Sequence, residues 1–474
     1  MSGETLTPDL CVIGGGSGGL SVAAGAVQMG ASVVLVEGGA MGGDCLNAGC
    51  VPSKALLAAA KAACAPDPGF GVCAPAPEVD FAAVMAHVRG VIAQIAPHDS
   101  VERFEGLGVR VIRDWAAFEG PDAVRAGGAT IRARRFVIAT GSRAAVPPIP
   151  GLREAPYLTN ETLFDLTERP EHLVILGGGP IGVEMALAFR RLGSAVTVVE
   201  AARALGREDP EAAALVLARL RAAGVDLREG VAAEAAGSLS GSGAMLRLAD
   251  GATVEGSHLL VAVGRAPALD RLNLQAALVE ANRDGVVVDD GLRSVSNARI
   301  YAVGDAAGRG QFTHLAGWHA GLVIRNALFR LPVRARAAHV PRVTYADPEL
   351  AQVGMTEAEA RAAHGSAVSV ARADFAENDR ARAERRAEGF VKVMVGPRGR
   401  ILGATVVGPH AGELIQTWAL AMASGLKIGA VAGMVAPYPT LGEANKRAAG
   451  QHFAPTLFGS PWVKRAVRLL AKLG

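Results

Sequence analysis

The sequence predicts an α/β fold, with two Rossmann-like dinucleotide-binding domains followed by a C-terminal α+β domain. Two stretches carry that expectation. Residues 9–37, DLCVIGGGSGGLSVAAGAVQMGASVVLVE, read as an apolar strand, a Gly-rich turn, an Ala-rich helix and a β-branched strand ending in Glu. Residues 172–200, HLVILGGGPIGVEMALAFRRLGSAVTVVE, repeat that plan with the glycines at matched spacing. Residues 341–474 carry no such fingerprint and read as alternating short strands and helices, hence a separate domain.

In chain order, Gly14, Gly16 and Gly19 follow the strand LCVI and open a helix. That context separates a nucleotide fingerprint from a packing turn. Glycine permits the tight turn and a close backbone approach to a pyrophosphate, whose charge the helix N-terminus stabilises. Glu37 ends the next strand, where a carboxylate can accept from both ribose hydroxyls.

The segment GGDCLNAGCVPSKALL (42–57) comes next. Cys45 and Cys50 are five residues apart, a rise of about 7.5 Å in a regular helix, whereas a disulfide needs Cα atoms within about 7 Å. The segment must be distorted if the two are bonded, and Asn47, Gly49 and Pro52 permit distortion. A following helix can lower a thiol pKa at its N-terminus. The alternative is two ordinary buried cysteines; a zinc site lacks further ligands nearby. Cys11 reads as core, and Cys64 and Cys73 as structural.

The Pro-rich VPPIPG (146–151) and the Gly-rich AVGRAP (262–267) read as outgoing and returning crossovers around the second unit. The expected domains are 1–150 and 271–338 for the first nucleotide, 151–270 for the second, and 339–474 for the third domain. In the second unit Gly177, Gly179 and Gly182 repeat the fingerprint, with Glu200 as the ribose acid. A carboxylate there repels a 2′-phosphate and favours NADH over NADPH. Arg203 and Arg207 lie close by, either to grip such a phosphate or as solvated surface cations.

Composition bounds the rest. A chain of 474 residues admits two to four domains, and half of it is apolar, ample for packed cores. A diffuse net charge of +3 argues against nucleic acid. The chain shows neither a secretory signal nor an apolar run of about 18 residues, and five cysteines make no disulfide scaffold, so a cytoplasmic protein is expected.

With these motifs in hand, the chain resembles the class I pyridine nucleotide–disulfide oxidoreductases, through GGDCLNAGCVPSK, ATGSRAAVPPIPG (139–151), SNARIYAVGDAA (296–307) and VTYADPELAQVGMTEAEA (343–360). It is most similar to their mercuric reductase-like branch and also resembles dihydrolipoyl dehydrogenase. The resemblance implies that electrons pass from NADH or NADPH through FAD to a Cys45–Cys50 disulfide, with Cys50 facing the flavin and Cys45 meeting the acceptor. It implies an FAD site at Gly14, Gly16, Gly19, Glu37, Gly43, Lys54, Ala116, Thr140, Gly141 and Asp305. The NAD(P) site would be Gly177, Gly179, Gly182, Glu200 and Gly264. Lys54 and Glu184 match positions that pair beside the flavin, though Glu184 also reads as a plain helix carboxylate. Residues 339–474 match the dimerisation domain, implying a homodimer. No metal site is expected.

One position departs from the pattern. Reductases of organic disulfides carry His-Pro-x-x-x-Glu, and here PYPTLGE puts Tyr438 at the His, with Pro439 and Glu443 kept. A phenol, with a reference pKa of about 10 against about 6.5 for imidazole, is a poor proton shuttle. It can donate a hydrogen bond, touch a metal or simply pack. Mercuric reductases carry Tyr here, yet their N-terminal metal-binding domain and C-terminal vicinal cysteines have no counterpart in this sequence. The expected acceptor is Hg(II) or a related species, with an organic disulfide or a membrane quinone as alternatives. A non-catalytic flavoprotein subunit is the reading furthest from these. Finally, SPWVKRAVRLLAKLG (460–474) sets Val463, Ala466, Val467, Leu470 and Leu473 on one helical face, Trp462 at its start, and Lys464, Arg465, Arg468 and Lys472 elsewhere. Such a helix packs on its own dimer or makes peripheral contact with a membrane through residues 461–474.

Overall fold

A computed structural model describes residues 4–64, 68–72, 75, 77–241 and 243–473. Cys73 lies outside them. The chain forms two compact units. The first holds residues up to Gly177 with 185–201 and 230–337; the second holds 178–184, 202–229 and the chain from Ala338 onward.

In the first unit the chain runs β1 (Leu10–Ile13), α1 (Ser17–Gln28), β2 (Val33–Val36), α2 (Gly43–Asn47), α3 (Cys50–Ala62), β3 (Arg110–Ile112) and β4 (Arg135–Ile138). After β5 (His172–Leu176) come α4 (Pro180–Arg191), whose first turn falls in the second unit, then β6 (Ala195–Glu200), β7 (His258–Val261), β8 (Ile300–Ala302) and α5 (Thr313–Phe329). Five strands pair in parallel in the order β3-β2-β1-β4-β8. Every residue of β1 and β2 is buried, the unbroken apolar run of a sheet covered on both faces. Ile13 stands level with Val36 and Ile138, and Ile138 with Ala302. The strands therefore end together, and their C-terminal edge gathers Gly14, Glu37, Thr140 and Asp305. Ligands of open parallel sheets bind at this edge.

The second fingerprint repeats that geometry on β5, which pairs in parallel with β6 and β7 so that Leu176, Val199 and Val261 are level. Ser142–Ala144, just before VPPIPG, pairs antiparallel with Arg265–Pro267 of the returning crossover. Hydrogen bonds from Ala145 N–H to Gly264 O and from Ala268 N–H to Gly141 O, each 3.0 Å, extend the pairing at both ends.

The second unit is built on an antiparallel sheet of β9 (Pro341–Thr344), β10 (Glu349–Gly354), β11 (Ser369–Asp374), β12 (Phe390–Gly396) and β13 (Arg400–Gly408), in the order β9-β10-β13-β12-β11. The expected alternation of strands and helices holds from β10 to β12, where the helices Glu357–His364 and Asp379–Ala383 intervene, and ends there. Antiparallel neighbours such as β12 and β13 join through the tight turn Pro397–Gly399 and need no crossover helix. Most helices instead gather after β13. Among them, α6 (Gln416–Ala423) and α7 (Glu443–Gln451) bury Trp418, whose indole N–H donates to Asn445 Oδ1 at 2.8 Å. The last helix, α8 (Pro461–Leu470), is exposed at every residue.

Candidate active site

The dinucleotide cradle follows from backbone conformation. Gly14 has φ +111°, and a Cβ there would stand 2.4 Å from the Ala139 carbonyl oxygen; Gly177 repeats this at φ +114°, with Ala262 O at 2.5 Å. Only glycine lets either turn lie against the neighbouring strand end. Glu37 accepts from Gly15 N–H and, at 2.5 Å, from Gly39 N–H, so its carboxylate fixes the first turn. Gly42 N–H donates to Gly15 O at 2.9 Å, which folds Gly43 and the cysteine segment against that turn. Gly16 caps α1, and Gly19 lies in its first turn. Ala116 is buried just before the strand Ala117–Gly120.

Beyond β4, Thr140 Oγ1 is buried and has no hydrogen-bond partner among the described residues. Gly141 follows in the left-handed region at φ +66°. Asp305, in the turn after β8, accepts from Ser142 Oγ at 2.5 Å, and burial holds its carboxyl above the usual carboxylate range. An unpartnered buried hydroxyl, a glycine cradle and a helix N-terminus at one sheet edge fit a bound dinucleotide such as FAD.

The cysteines sit at a broken helix. α2 ends at Asn47, whose side-chain amide donates to Met41 O and Gly43 O, and α3 starts afresh at Cys50. The expected distortion is therefore a break at Ala48 and Gly49. Both cysteines are thiols, with their sulfurs in hydrogen-bond contact. The Cys45 proton on the Cys50 sulfur lowers the Cys50 pKa to about 6 against the pull of burial. Thr313 Oγ1, 3.4 Å from Cys50 Sγ, and the Lys54 ammonium act in the same direction; Asp44 opposes. The same sulfur contact, then burial, push Cys45 far up. The pair is polarised, with the thiolate on Cys50 at a helix N-terminus and the proton on Cys45. Cys11 is core. Cys64 is corrected: it is exposed, its thiol 3.6 Å from Ala60 O.

At the second fingerprint, Gly179 and Gly264 leave open space where a Cβ would stand, and Gly182 lies in the first turn of α4. Glu200 ends β6. Arg203 donates to Pro210 O at 3.1 Å. Arg207 offers its carbonyl to Arg342 at 3.1 Å.

In the second unit, Glu184 is buried and its Oε1 accepts from Tyr345 N–H at 2.9 Å. Tyr438 is 70 % exposed, which excludes packing within its own unit. Its hydroxyl donates to Asp379 Oδ2 at 2.9 Å, and that bond, the Asp379 charge and more weakly Glu443 hold the phenol above its usual pKa. Glu443 opens α7.

Comparison with known proteins assigns the chain. The family model described as pyridine nucleotide-disulphide oxidoreductase matches residues 8–320, and that of the family's dimerisation domain matches 340–449. The chain belongs to this family. The mercuric reductase of Streptomyces lividans is 37% identical over 454 residues, covering 93% of this chain and 95% of the relative. Dihydrolipoyl dehydrogenase 3 of Haloarcula marismortui is 33% identical over 464 residues, covering 94% and 96%. A solved structure, the Cu(II) complex of the HOCl-induced flavoprotein disulfide reductase RclA of Escherichia coli, superposes with a TM-score of 0.82 at 30% identity, covering 92% of this chain and 98% of that one.

Membership makes the chain a class I flavoprotein oxidoreductase of this fold with a dimerisation domain; FAD and a pyridine nucleotide are the family's cofactors. Several residues around this family site escaped the sequence reading. Asp44 accepts from Asn160 Nδ2 at 2.7 Å and pairs with Arg265 at 3.2 Å, while Arg265 Nε donates to Ser142 Oγ at 2.7 Å. One chain of contacts thus joins Asp44, beside Cys45, to Asp305. His319, fully buried on α5, accepts Gly304 N–H at Nδ1 and steadies the Asp305 turn; burial lowers its pKa to about 4. Arg265 lay in plain view inside AVGRAP, read only as a crossover. Thr313 and Asp379 carry no local signal.

Proposed function

We propose that this protein is an NAD(P)H-dependent flavoenzyme whose Cys45–Cys50 pair delivers two electrons to Hg(II) or a related soft metal ion, as in mercuric reductases. Residues up to 150 and 271–338 would hold FAD, 151–270 NADH, and 339–474 the partner subunit. When bound, FAD supplies two-electron exchange between the nicotinamide and the cysteine pair. The protein's share is to hold the thiolate on Cys50, keep the exchangeable proton on Cys45, and present both sulfurs to a soft cation, which prefers thiolate ligands. Lys54 beside the cysteines supports Cys50 as the thiolate. Lys54 would tune the flavin.

One observation carries the choice of acceptor. Tyr438 stands where a disulfide-exchanging enzyme needs an imidazole, and its phenol donates to Asp379 with a raised pKa, so it holds its proton at neutral pH. The name of the Streptomyces lividans relative and the Cu(II) complex of RclA point the same way. Glu200 at the end of β6, with Arg203 turned to Pro210 O, supports NADH over NADPH. NADH-driven turnover with Hg(II), lipoamide, glutathione disulfide and ubiquinone analogues tests the acceptor. Hg(II) should give the highest kcat/KM, and faster turnover of lipoamide or glutathione disulfide would replace this reading with that of an organic-disulfide reductase. A second reading, quinone reduction at a membrane surface, is favoured by the exposed helix α8; the quinone arm of the same assay decides it.

A further inference from the structure

We infer that α8 is a docking helix for an anionic lipid surface. Ser460 caps it by accepting Val463 N–H, and Pro461 opens it, so the helix is locally specified and not an extension of the preceding fold. At about 100° per residue, Trp462, Val463, Val467, Leu469 and Leu470 fall within an arc of about 160°. Lys464, Arg465 and Arg468 occupy an arc of about 100° on the opposite side. No acidic residue interrupts the segment 461–474.

The segregation is sharper than the sequence reading held, because Leu469 joins the apolar face. None of that face is covered by the described residues: Trp462 is 77 % and Leu470 63 % exposed. Phe458, which ends the preceding short helix, is also 73 % exposed. No described helix is long and apolar enough to cross a membrane, so α8 can only lie along one.

Charge complementarity selects the occupant. By the same angular count Lys464 and Arg465 flank the apolar arc on its two sides. There their stems can follow the apolar face while the cations meet headgroup phosphates. A second copy seated symmetrically on this face would cover the apolar arc and leave the cations on the far side without a partner. An anionic bilayer meets both halves of the helix at once: acyl chains for the apolar arc, negative surface potential for the cations. The docking holds whichever acceptor the cysteine pair serves.

The test uses the purified holoenzyme and sedimentation with phosphatidylcholine vesicles, with and without about one-third phosphatidylglycerol, the anionic fraction supplying the surface potential. Binding is expected only with phosphatidylglycerol and should fall several-fold between about 50 and about 300 mM salt as screening shortens. Val467→Glu/Leu470→Glu and Arg465→Glu/Arg468→Glu should each weaken it at least about tenfold, since each change removes part of the buried apolar or cationic contact. Turnover with a soluble acceptor and the sedimentation coefficient of the free enzyme should stay unchanged. Equal binding to neutral vesicles, or none to anionic vesicles at low salt, overturns the inference. So does a smaller sedimenting species in the Val467→Glu/Leu470→Glu variant, which would assign the face to a second copy.

Discussion

A few groups decide how the cysteine pair reacts: the two sulfurs, the Thr313 and Ser17 hydroxyls, the Lys54 ammonium and the Asp44 carboxylate. With its pKa lowered to about 6, Cys50 in the two-electron-reduced enzyme is thiolate at neutral pH. Its alkylation by iodoacetamide should rise with pH to a midpoint near that value. Lys54→Met should move the midpoint up, and Asp44→Asn should move it down, because the first removes a cation and the second an anion. Cys50→Ser should abolish the long-wavelength thiolate–flavin absorbance of the reduced enzyme while Cys45→Ser keeps it; the reverse pattern would exchange the two roles. At the far end of the chain, Tyr438→His should restore a titrating proton shuttle. It is expected to raise lipoamide or glutathione disulfide turnover at least about tenfold at neutral pH, as general acid–base groups contribute more than that.

Elements fail where their geometry has no slack. In Gly14→Ala a methyl group meets the Ala139 carbonyl in a φ region that L-residues avoid. The variant should lose bound FAD and about 1–3 kcal/mol of stability, read as the flavin-to-protein absorbance ratio and the Tm. On β12, Lys392 Nζ is buried and pairs with Asp209 at 3.1 Å, Glu211 at 2.9 Å and Glu357 at 3.4 Å. Asp209 is itself buried at the N-cap of the helix Pro210–Ala222. Lys392→Met strands that carboxylate and should cost about 3–5 kcal/mol, measurable by urea denaturation. The same contrast explains what the sequence disclosed. Gly14, Gly177, Glu37 and the broken helix at Cys50 are local, so turn chemistry and strand periodicity reveal them. The Asp44–Arg265 and Tyr438–Asp379 partnerships join residues far apart in the chain, which only the folded sheets bring together. The compact antiparallel order of β9 to β13 was hidden for a related reason: strand order is a long-range property.

For the molecule as a whole, a dimerisation domain implies that the working unit is a pair. Each site would then combine Cys45 of one chain with Tyr438 and Glu443 of the other. Sedimentation should return twice the chain mass. Co-expressed Cys45→Ser and Tyr438→Phe chains should recover roughly a quarter of the parental activity: in a random mixture half the dimers are mixed, and each mixed dimer holds one complete site. No recovery in verified mixed dimers would place both residues' work within a single chain. The paired strands Ser142–Ala144 and Arg265–Pro267 bear on the molecule's history. The chain leaves the flavin-side sheet and returns to it through one doorway, so the two strands mark the ends of an inserted segment, part of which packs in the second unit. Grafting residues 146–264 from a relative should then exchange donor specificity, provided the two doorposts, the Arg265 contacts to Ser142 and Asp44, and the Glu184, Asp209 and Glu211 partners of Tyr345 and Lys392 are kept.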